Sequence, residues 1–310
     1  MTESVVAIRG LTKRYPGRRG SGGVTAVDTI DLTVNRGEVY GFLGPNGAGK
    51  TTTLRMLVGL IAPTSGEISV FGQKPGSREA LARVGALIEG PAFYPYLSGR
   101  DNLKVVARYA GSPETAIDEM LELVDLDGRG GDRYASYSLG MKQRLGVAAA
   151  LLKDPELIVL DEPTNGLDPQ GMRDMRALIR RLGEDGRTVI LSSHMLGEVQ
   201  QICDRIGVID HGRMVTEGTV DELRGGIELV IAASPIDTAV DTVRTMAGVE
   251  LLRVEGGRLY VDAEDRRTAA INQALVTAGV AVTEIRREER ELEDVFFAIT
   301  AEHPLEASHV

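Results

Sequence analysis

Positions 44 to 51 read Gly44-Pro45-Asn46-Gly47-Ala48-Gly49-Lys50-Thr51 and match the pattern G-x-x-x-x-G-K-[ST] at every fixed position. A short apolar run, Val39–Leu43, precedes this stretch, and an amphipathic segment, 51–60, follows it. In such a strand–loop–helix unit, backbone N–H groups can curve around phosphate oxygens because glycine has no Cβ to obstruct them. The helix N-terminus adds the positive end of its dipole. The pattern predicts a phosphate-binding loop, although an ordinary glycine-rich turn would use similar residues.

Two residues of this loop have an expected chemical role. Lys50 would reach the β- and γ-phosphates of a nucleotide and so assist catalysis, and Thr51 would offer its hydroxyl to Mg²⁺. The nucleotide is expected to contact the whole segment, which comprises Gly44, Pro45, Asn46, Gly47, Ala48, Gly49, Lys50, Thr51 and Thr52.

A second segment, Ile158-Val159-Leu160-Asp161-Glu162, is an apolar strand that ends in two carboxylates. Asp161 at the carboxyl end of the strand can approach Mg²⁺, and Glu162 can polarise an attacking water. Apolar runs that end in an acidic pair also occur by chance. Together with the phosphate loop, however, this segment favours a nucleotide-hydrolysing site with ATP and Mg²⁺ as its ligands.

The order of apolar and amphipathic segments predicts the fold. Strands are expected at Val39–Leu43, 67–71, 157–160 and 188–192, and they alternate with helices at 51–60 and from about residue 141. This alternation is typical of an α/β domain with a largely parallel sheet.

A hinge at Gly225-Gly226 would divide residues 1–224 from a smaller domain, 225–310. The smaller domain has the order β-α-β-β-α-β, which resembles a ferredoxin-like α+β unit. Its expected strands are 227–232, a hairpin turning at 256–257, and 280–285, and its expected helices are 237–246, 267–278 and 291–301.

Charge and composition exclude several classes of protein. The 310 residues carry a net charge of −10, of which −8 falls in residues 227–310 (16 acidic, 8 basic). An acidic chain is not expected to bind nucleic acid as a whole. A single cysteine, Cys203, excludes an intramolecular disulfide framework. The first ten residues have no secretory pattern, and no apolar run reaches the roughly 18–20 residues that span a bilayer.

A third segment identifies a family. Tyr137-Ser138-Leu139-Gly140-Met141, followed by Lys142-Gln143-Arg144, resembles the L-S-G-G-Q signature of the nucleotide-binding subunits of ABC transporters. The resemblance covers about residues 4–224 and implies a P-loop ATPase domain with a helical subdomain. It also implies that Ser138 and Gly140 contact ATP bound to the other subunit of a head-to-tail homodimer. Leu139 and Met141 depart from the family pattern, and a serine at a helix start is otherwise usually a cap.

The same resemblance assigns four further residues. Tyr15 would stack on adenine, and Asp168 in Gly166-Leu167-Asp168 would belong to the loop that links the two ATP sites. His194 would be the catalytic switch histidine that contacts the γ-phosphate. Glu89 stands where the family usually has glutamine and would be a metal ligand together with Thr51 and Asp161. Each has a purely structural alternative: a surface or core tyrosine for Tyr15, a helix cap for Asp168, a structural histidine for His194 and a solvated charge for Glu89.

The family also implies a function. The chain would be an ATPase motor on the cytoplasmic face of a bacterial membrane, attached through residues 93–99 to a separate permease. The signature, Glu89 and the added C-terminal domain resemble the daunorubicin/bacitracin-type drug-export group. That domain would regulate or stabilise the dimer, or simply pack.

Two other functional classes remain as alternatives. A soluble ABC-type ATPase acting on ribosomes or nucleic acid is disfavoured for two reasons. Translation-acting members carry two ATPase cassettes, whereas this chain has one, and Ser138 lies only 88 positions after Lys50. That interval is too short for the long coiled coil of the DNA-repair members. A nucleotide kinase or GTPase is disfavoured because no N-K-x-D motif appears.

Overall fold

The computed structural model describes residues 3–17, 23–224 and 227–289. Contacts along the chain divide it into a first unit, Met1–Val220, and a second unit, Asp221–Val310. The predicted boundary at Gly225-Gly226 lies outside the described residues and stays a prediction. Among the described residues, none of the helices combines the length and the apolarity needed to cross a membrane.

The first unit contains two sheets and most of the helices. Its elements in chain order are β1 (Ser4–Tyr15), β2 (Val24–Asn35), β3 (Val39–Leu43), α1 (Lys50–Leu57), β4 (Ser65–Val70), α2 (Arg78–Ala82), β5 (Val84–Leu87), α3 (Gly99–Ala110), α4 (Ala116–Leu123), α5 (Leu139–Leu151), β6 (Leu157–Asp161), α6 (Pro169–Glu184), β7 (Thr188–Ser193), α7 (Leu196–Val199), β8 (Arg205–Asp210) and β9 (Arg213–Thr219). Helix α8 (Val220–Arg224) lies at the division between the units.

The main sheet has the order β5-β6-β7-β3-β8-β9. All its pairings are parallel except that of the edge hairpin β8–β9. Strands β3, β6 and β7 are buried at every residue. This burial explains why they appear in the sequence as nearly continuous apolar runs, as expected for a parallel sheet covered on both faces. The predicted α/β class is confirmed.

The remaining elements of the first unit form two smaller layers. Strands β2, β1 and β4 make an antiparallel sheet whose apolar side chains join those of α1 and β3 in one core. Helices α3, α4 and α5 pack on one another and form the helical subdomain. Its first helix, α3, is capped by Ser98, whose hydroxyl oxygen accepts a hydrogen bond from the Asp101 N–H at 3.0 Å.

Two predicted element ends were wrong for a local reason. The helix predicted over 51–60 ends at Leu57, because Gly59 adopts φ = 77° and stops the helical path. The strand predicted over 67–71 is shifted to Ser65–Val70, and Phe71 follows it with φ = 52°.

The described part of the second unit, up to residue 289, contains a four-stranded antiparallel sheet and two helices after residue 226. Its elements are β10 (Ile227–Ser234), α9 (Ile236–Arg244), β11 (Val249–Glu255), β12 (Arg258–Ala263), α10 (Thr268–Thr277) and β13 (Ala281–Glu289). The strand order β11-β12-β10-β13, with every pair antiparallel, is that of a ferredoxin-like split βαβ unit. The predicted fold of this unit is confirmed, whereas the helix predicted over 291–301 lies outside the described residues.

Glu156 connects two arginines at the start of β6. Its carboxylate pairs with Arg36 (Nη1–Oε2, 2.6 Å), which follows β2, and with Arg83 (Nη2–Oε2, 2.9 Å), which precedes β5. Hydrogen bonds from Arg83 and then from Arg36 lower the pKa of this carboxyl from 4.5 to about 2. A depressed pKa contributes stability that is fully present above pH 4.5 and is lost as the pH falls toward 2.

We therefore expect Glu156→Gln to lower the urea midpoint of the first unit at pH 7. The difference from wild type should shrink between pH 4.5 and pH 3, because protonation removes the same charge from the wild-type residue. Urea titrations at pH 7, 4.5 and 3.5 measure this effect. Glu184→Gln, at an exposed site on α6, is the matched control. A difference that stays constant over this pH range would contradict the assignment.

Candidate functional site

Three strands of the main sheet end at the same edge. Strand β7 lies between β3 and β6, with Leu43 opposite Ser193 and Asp161 opposite Ser192. Because parallel strands present their carboxyl ends together, the phosphate loop after β3 lies beside the carboxylates that end β6 and the histidine that follows β7. The sheet order, which the sequence does not contain, thereby gathers the separately predicted segments.

The phosphate loop depends on two glycines for its path. Gly49 caps α1 with φ = 108°, and a Cβ at this position would lie 2.4 Å from the Ala26 carbonyl oxygen. A Cβ on Gly44 would lie 2.2 Å from the Ile209 carbonyl oxygen. A Cβ cannot be accommodated at such distances. The backbone of strand β2 and of the β8–β9 hairpin therefore packs so closely against the loop that these two positions require glycine.

Lys50 is buried beneath this loop, with 6% of its surface exposed. Its Nζ donates to the carbonyl oxygens of Gly44 (2.7 Å) and Pro45 (3.2 Å), and lies 3.1 Å from Oε1 of Glu162. The ammonium group is therefore held between the loop and the carboxylate. This position suits a cation that interacts with phosphate oxygens.

Asp161 is buried and accepts two hydroxyl hydrogen bonds on one oxygen. Thr51 Oγ1 donates to Oδ1 at 3.1 Å, and Ser192 Oγ donates to the same oxygen at 2.6 Å. A carboxylate and a threonine hydroxyl side by side are hard oxygen donors of the kind that Mg²⁺ uses together with substrate phosphates. The donor set fits Mg²⁺, and Thr52 lies beside it in the first turn of α1.

Glu162 and His194 are in direct contact. His194 Nδ1 lies 2.8 Å from Glu162 Oε2, and the other carboxylate oxygen faces Lys50. Glu162 has φ = 48°, an uncommon conformation for a residue with a side chain, and its N–H donates to Ser192 Oγ at 2.9 Å. The carboxylate is thus placed between the His194 imidazole and the Lys50 ammonium group, an arrangement that can orient a water molecule.

Ser138 and Asp168 cap helices in this structure. Ser138 Oγ accepts from the Met141 N–H (3.3 Å) at the start of α5, where Gly140 also lies. Asp168 Oδ1 accepts from the Gly171 N–H (2.8 Å) at the start of α6. The capping alternative is therefore realised for both residues. Their contacts with nucleotide across a dimer stay predictions.

Tyr15 and Glu89 have partners other than the central cluster. Tyr15 ends β1 with 38% of its surface exposed, and Lys13 Nζ lies 5.1 Å from its ring centroid. Glu89 follows β5 with φ = 65°, and its carboxylate pairs with Arg55 of α1. The structure does not bring Glu89 into the group around Asp161, and its role as a metal ligand stays a prediction.

Three polar residues of the site region were not predicted from the sequence. One is Ser192, which joins Asp161 and Glu162. The others are Thr164 and Glu198, both buried, whose side chains are joined by a 2.5 Å hydrogen bond from Oγ1 to Oε2. A serine within a predicted buried strand was the available signal for the first. Thr164 and Glu198 are far apart in the sequence, so no local sequence pattern predicts that they form a pair.

A groove beside the carboxyl end of β5 is lined by residues other than Lys50, Glu162 and His194. It has a volume of about 450 Å³ and is lined by β5, the segment 88–93, α3 and α5. Phe93 is held by an edge-on contact with Tyr134, with ring centroids 5.3 Å apart. Tyr109, at the groove, and Tyr96, in the neighbouring 93–99 segment, are exposed at 89% and 69%. In the predicted aromatic segment 93–99, the tyrosines are therefore exposed to solvent, whereas Phe93 packs against Tyr134.

Comparison with known proteins agrees with this site. The ABC transporter family model matches residues 27–165. The bacitracin transport ATP-binding protein of Bacillus licheniformis is 40% identical over 300 residues, which cover 94% of this chain and 96% of that protein. The lantibiotic transport ATP-binding protein of Streptococcus pyogenes is 41% identical over 217 residues, covering 70% and 92%.

Solved structures show the same fold. CbiO1 of Clostridium perfringens, part of an ABC transporter complex, has a TM-score of 0.63 at 28% identity and covers 72% of this chain and 91% of that one. A dimeric ATP-binding cassette, MJ0796, bound to ADP and phosphate has a TM-score of 0.63 at 24% identity, covering 69% and 98%. The resemblance inferred from the phosphate loop and the signature is confirmed: the chain belongs to the ABC transporter ATP-binding proteins and is an ATPase.

Proposed function

We propose that this chain is the motor subunit of an exporter that moves antibiotics or related amphiphiles through a separate membrane permease. The observation that carries the ATPase part is the contact of Glu162 with both Lys50 and His194 beside the phosphate loop. The export part is supported by relatives named for bacitracin and lantibiotic transport that cover most of this chain.

The side chains at the ends of β3, β6 and β7 have different roles in ATP hydrolysis. Glu162 orients the attacking water and accepts its proton, while His194 holds that carboxylate at 2.8 Å. Lys50 stabilises charge on the β- and γ-phosphates. Thr51 and Asp161 would hold Mg²⁺, which supplies charge neutralisation to the phosphate oxygens when bound.

Two copies are proposed to act together. Ser138 and Gly140 lie at the start of α5, where backbone N–H groups and the helix dipole favour an anion such as the γ-phosphate of ATP on the other copy. Asp168 and Tyr15 are proposed to contact nucleotide in the same closed dimer. The known dimeric cassette with ADP and phosphate supports this arrangement. Closure of the dimer with ATP, and its opening after hydrolysis, would move the attached permease.

The groove beside β5, together with the 93–99 segment that adjoins it at Phe93, is the proposed permease site. It is apolar along α3 and α5, and Lys153 lies at its edge with Nζ bonded to the Leu81 carbonyl oxygen at 2.7 Å. Partial burial lowers the pKa of Lys153. An amphipathic helix with an acidic residue would fit such a surface. Attachment there would place the chain at the cytoplasmic face of the membrane. The alternative of a ribosome- or nucleic-acid-acting ATPase has no comparable support.

Lys50→Ala should weaken ATP binding by about 10–100-fold, because it removes a charged hydrogen-bond donor from the phosphates. Equilibrium titration with a fluorescent ATP analogue measures the affinity. Lys74→Ala, at an exposed loop position, is the matched control and should bind as wild type does. Unchanged affinity in Lys50→Ala would refute the phosphate-loop assignment.

Glu162→Gln should slow ATP hydrolysis by about 10²–10⁴-fold and leave ATP affinity within a few-fold of wild type, because only the proton acceptor is lost. Phosphate release under saturating ATP measures the rate. Glu184→Gln controls for the loss of one negative charge at a distant exposed site. Turnover near the wild-type rate would show that another group is the base.

Ala149→Arg should abolish co-purification with the co-expressed permease partner while preserving ATP affinity. Ala149 lines the groove on α5, and an arginine side chain would fill the space that a docking helix needs. Pull-down from membranes that contain both proteins measures the interaction, and Ala270→Arg, exposed on α10, is the control. If both variants retain the permease equally, the docking surface lies elsewhere.

A further inference from the structure

One buried hydroxyl contacts both carboxylate residues at the end of β6. Ser192 lies in β7 with 0% of its surface exposed. Its Oγ donates to Oδ1 of Asp161 at 2.6 Å and accepts the N–H of Glu162 at 2.9 Å. A serine hydroxyl has one proton to donate. Because that proton is directed to Asp161, the lone pairs of Oγ are available for the Glu162 N–H.

The first of these bonds fixes the orientation of Asp161. Oδ1 receives the Ser192 hydroxyl from β7 and the Thr51 hydroxyl from α1, so the carboxylate is held from two elements. A carboxylate that binds a metal usually needs such a partner, and loss of the partner commonly reduces metal affinity or activity by about 10–100-fold.

The second bond supports an unfavourable backbone conformation. Glu162 has φ = 48°, which is strained for a residue with a Cβ and persists only where surrounding contacts hold it. The acceptor for its N–H is Ser192 Oγ. In this conformation the side chain reaches Lys50 and His194 together. Without the Ser192 acceptor, the turn would be free to relax to negative φ and carry the carboxylate away.

The adjacent serine does something different. Ser193 Oγ accepts from the Met195 N–H at 3.0 Å, within the turn that leads to His194. Successive side chains of a strand point to opposite faces of the sheet, so only one of the two serines lies on the same face as the Asp161 side chain. The register that pairs Asp161 with Ser192 selects the first.

We propose that Ser192 is a positioning residue of the ATPase site, which sets the orientation of Asp161 and the strained turn at Glu162 through a single hydroxyl. The inference rests on the roles proposed above for those two residues. It predicts that Ser192 acts through Glu162 and Asp161 rather than through the general stability of β7. These two possibilities give different results in a double-mutant cycle.

The test compares Ser192→Ala in the wild-type and in the Glu162→Gln background, using single-turnover hydrolysis of labelled ATP. The reactions contain saturating Mg²⁺, so that a weaker metal site at Asp161 does not limit the rate. We expect Ser192→Ala to lower the rate about 10-fold in the wild type, with a smaller change in the ATP concentration that gives half the maximal rate, and to have almost no further effect in Glu162→Gln. Equal losses in both backgrounds, or no loss in the wild type, would overturn the proposal. If Glu162→Gln itself turns over normally, the failure lies in the proposed base.

A binding measurement addresses Asp161 separately. The ratio of ADP affinities with Mg²⁺ and with EDTA should fall about 10-fold in Ser192→Ala, because the metal-binding carboxylate loses a partner. An unchanged ratio would overturn the part of the proposal that concerns Asp161.

The control for a purely structural effect is Thr188→Val. Thr188 lies at the other end of β7, is equally buried, and accepts the Gly37 N–H at 2.9 Å. Its replacement should lower the melting temperature without changing the rate or the Mg²⁺ ratio. If Ser192→Ala does not fold, Ser192→Cys takes its place, because cysteine has a similar size but a thiol that is a weaker hydrogen-bond donor than the hydroxyl. A rate loss in Thr188→Val that matches Ser192→Ala would contradict a positioning role.

Discussion

The pairing of β7 with β6 on one side and β3 on the other is the constraint on which the rest of the site depends. The register places Ser192 opposite Asp161 and Ser193 opposite Leu43. A shift of one residue would take Ser192 away from Asp161 and leave its side chain on the opposite sheet face from that carboxylate, since side chains alternate along a strand. The backbone hydrogen bonds between the fully buried strands β3, β6 and β7 therefore determine where the side chains of the site lie.

Much of this arrangement could be predicted from the sequence. Buried parallel strands produce continuous apolar runs, so β3, β6 and β7 were recognisable, and Lys50 and Asp161 were assigned from the ends of two of them. Helix and strand ends were less predictable. The helix after the phosphate loop stops at Leu57 because Gly59 takes a left-handed conformation, which no periodicity reveals.

Side-chain pairing was the part that the sequence could not provide. The hydrogen bond between Thr164 and Glu198 joins the segment after β6 to α7 across 34 positions. Glu198 Oε1 accepts no hydrogen bond from the described residues, so burial of this carboxylate is unfavourable for the stability of the fold. The pairing of Glu89 with Arg55 was similarly hidden, because it depends on how α1 lies beside the end of β5. Such contacts follow from tertiary packing and leave no local pattern.

The left-handed turn at Glu162 has a consequence for how this protein can change under selection. Glycine would adopt that conformation without strain, but it would raise the entropy of the unfolded chain and remove the carboxylate that faces the buried Lys50 ammonium. The same change would remove the carboxylate that contacts His194. Relief of the backbone strain is therefore opposed by the loss of these two contacts, and selection for heat resistance alone is not expected to replace Glu162.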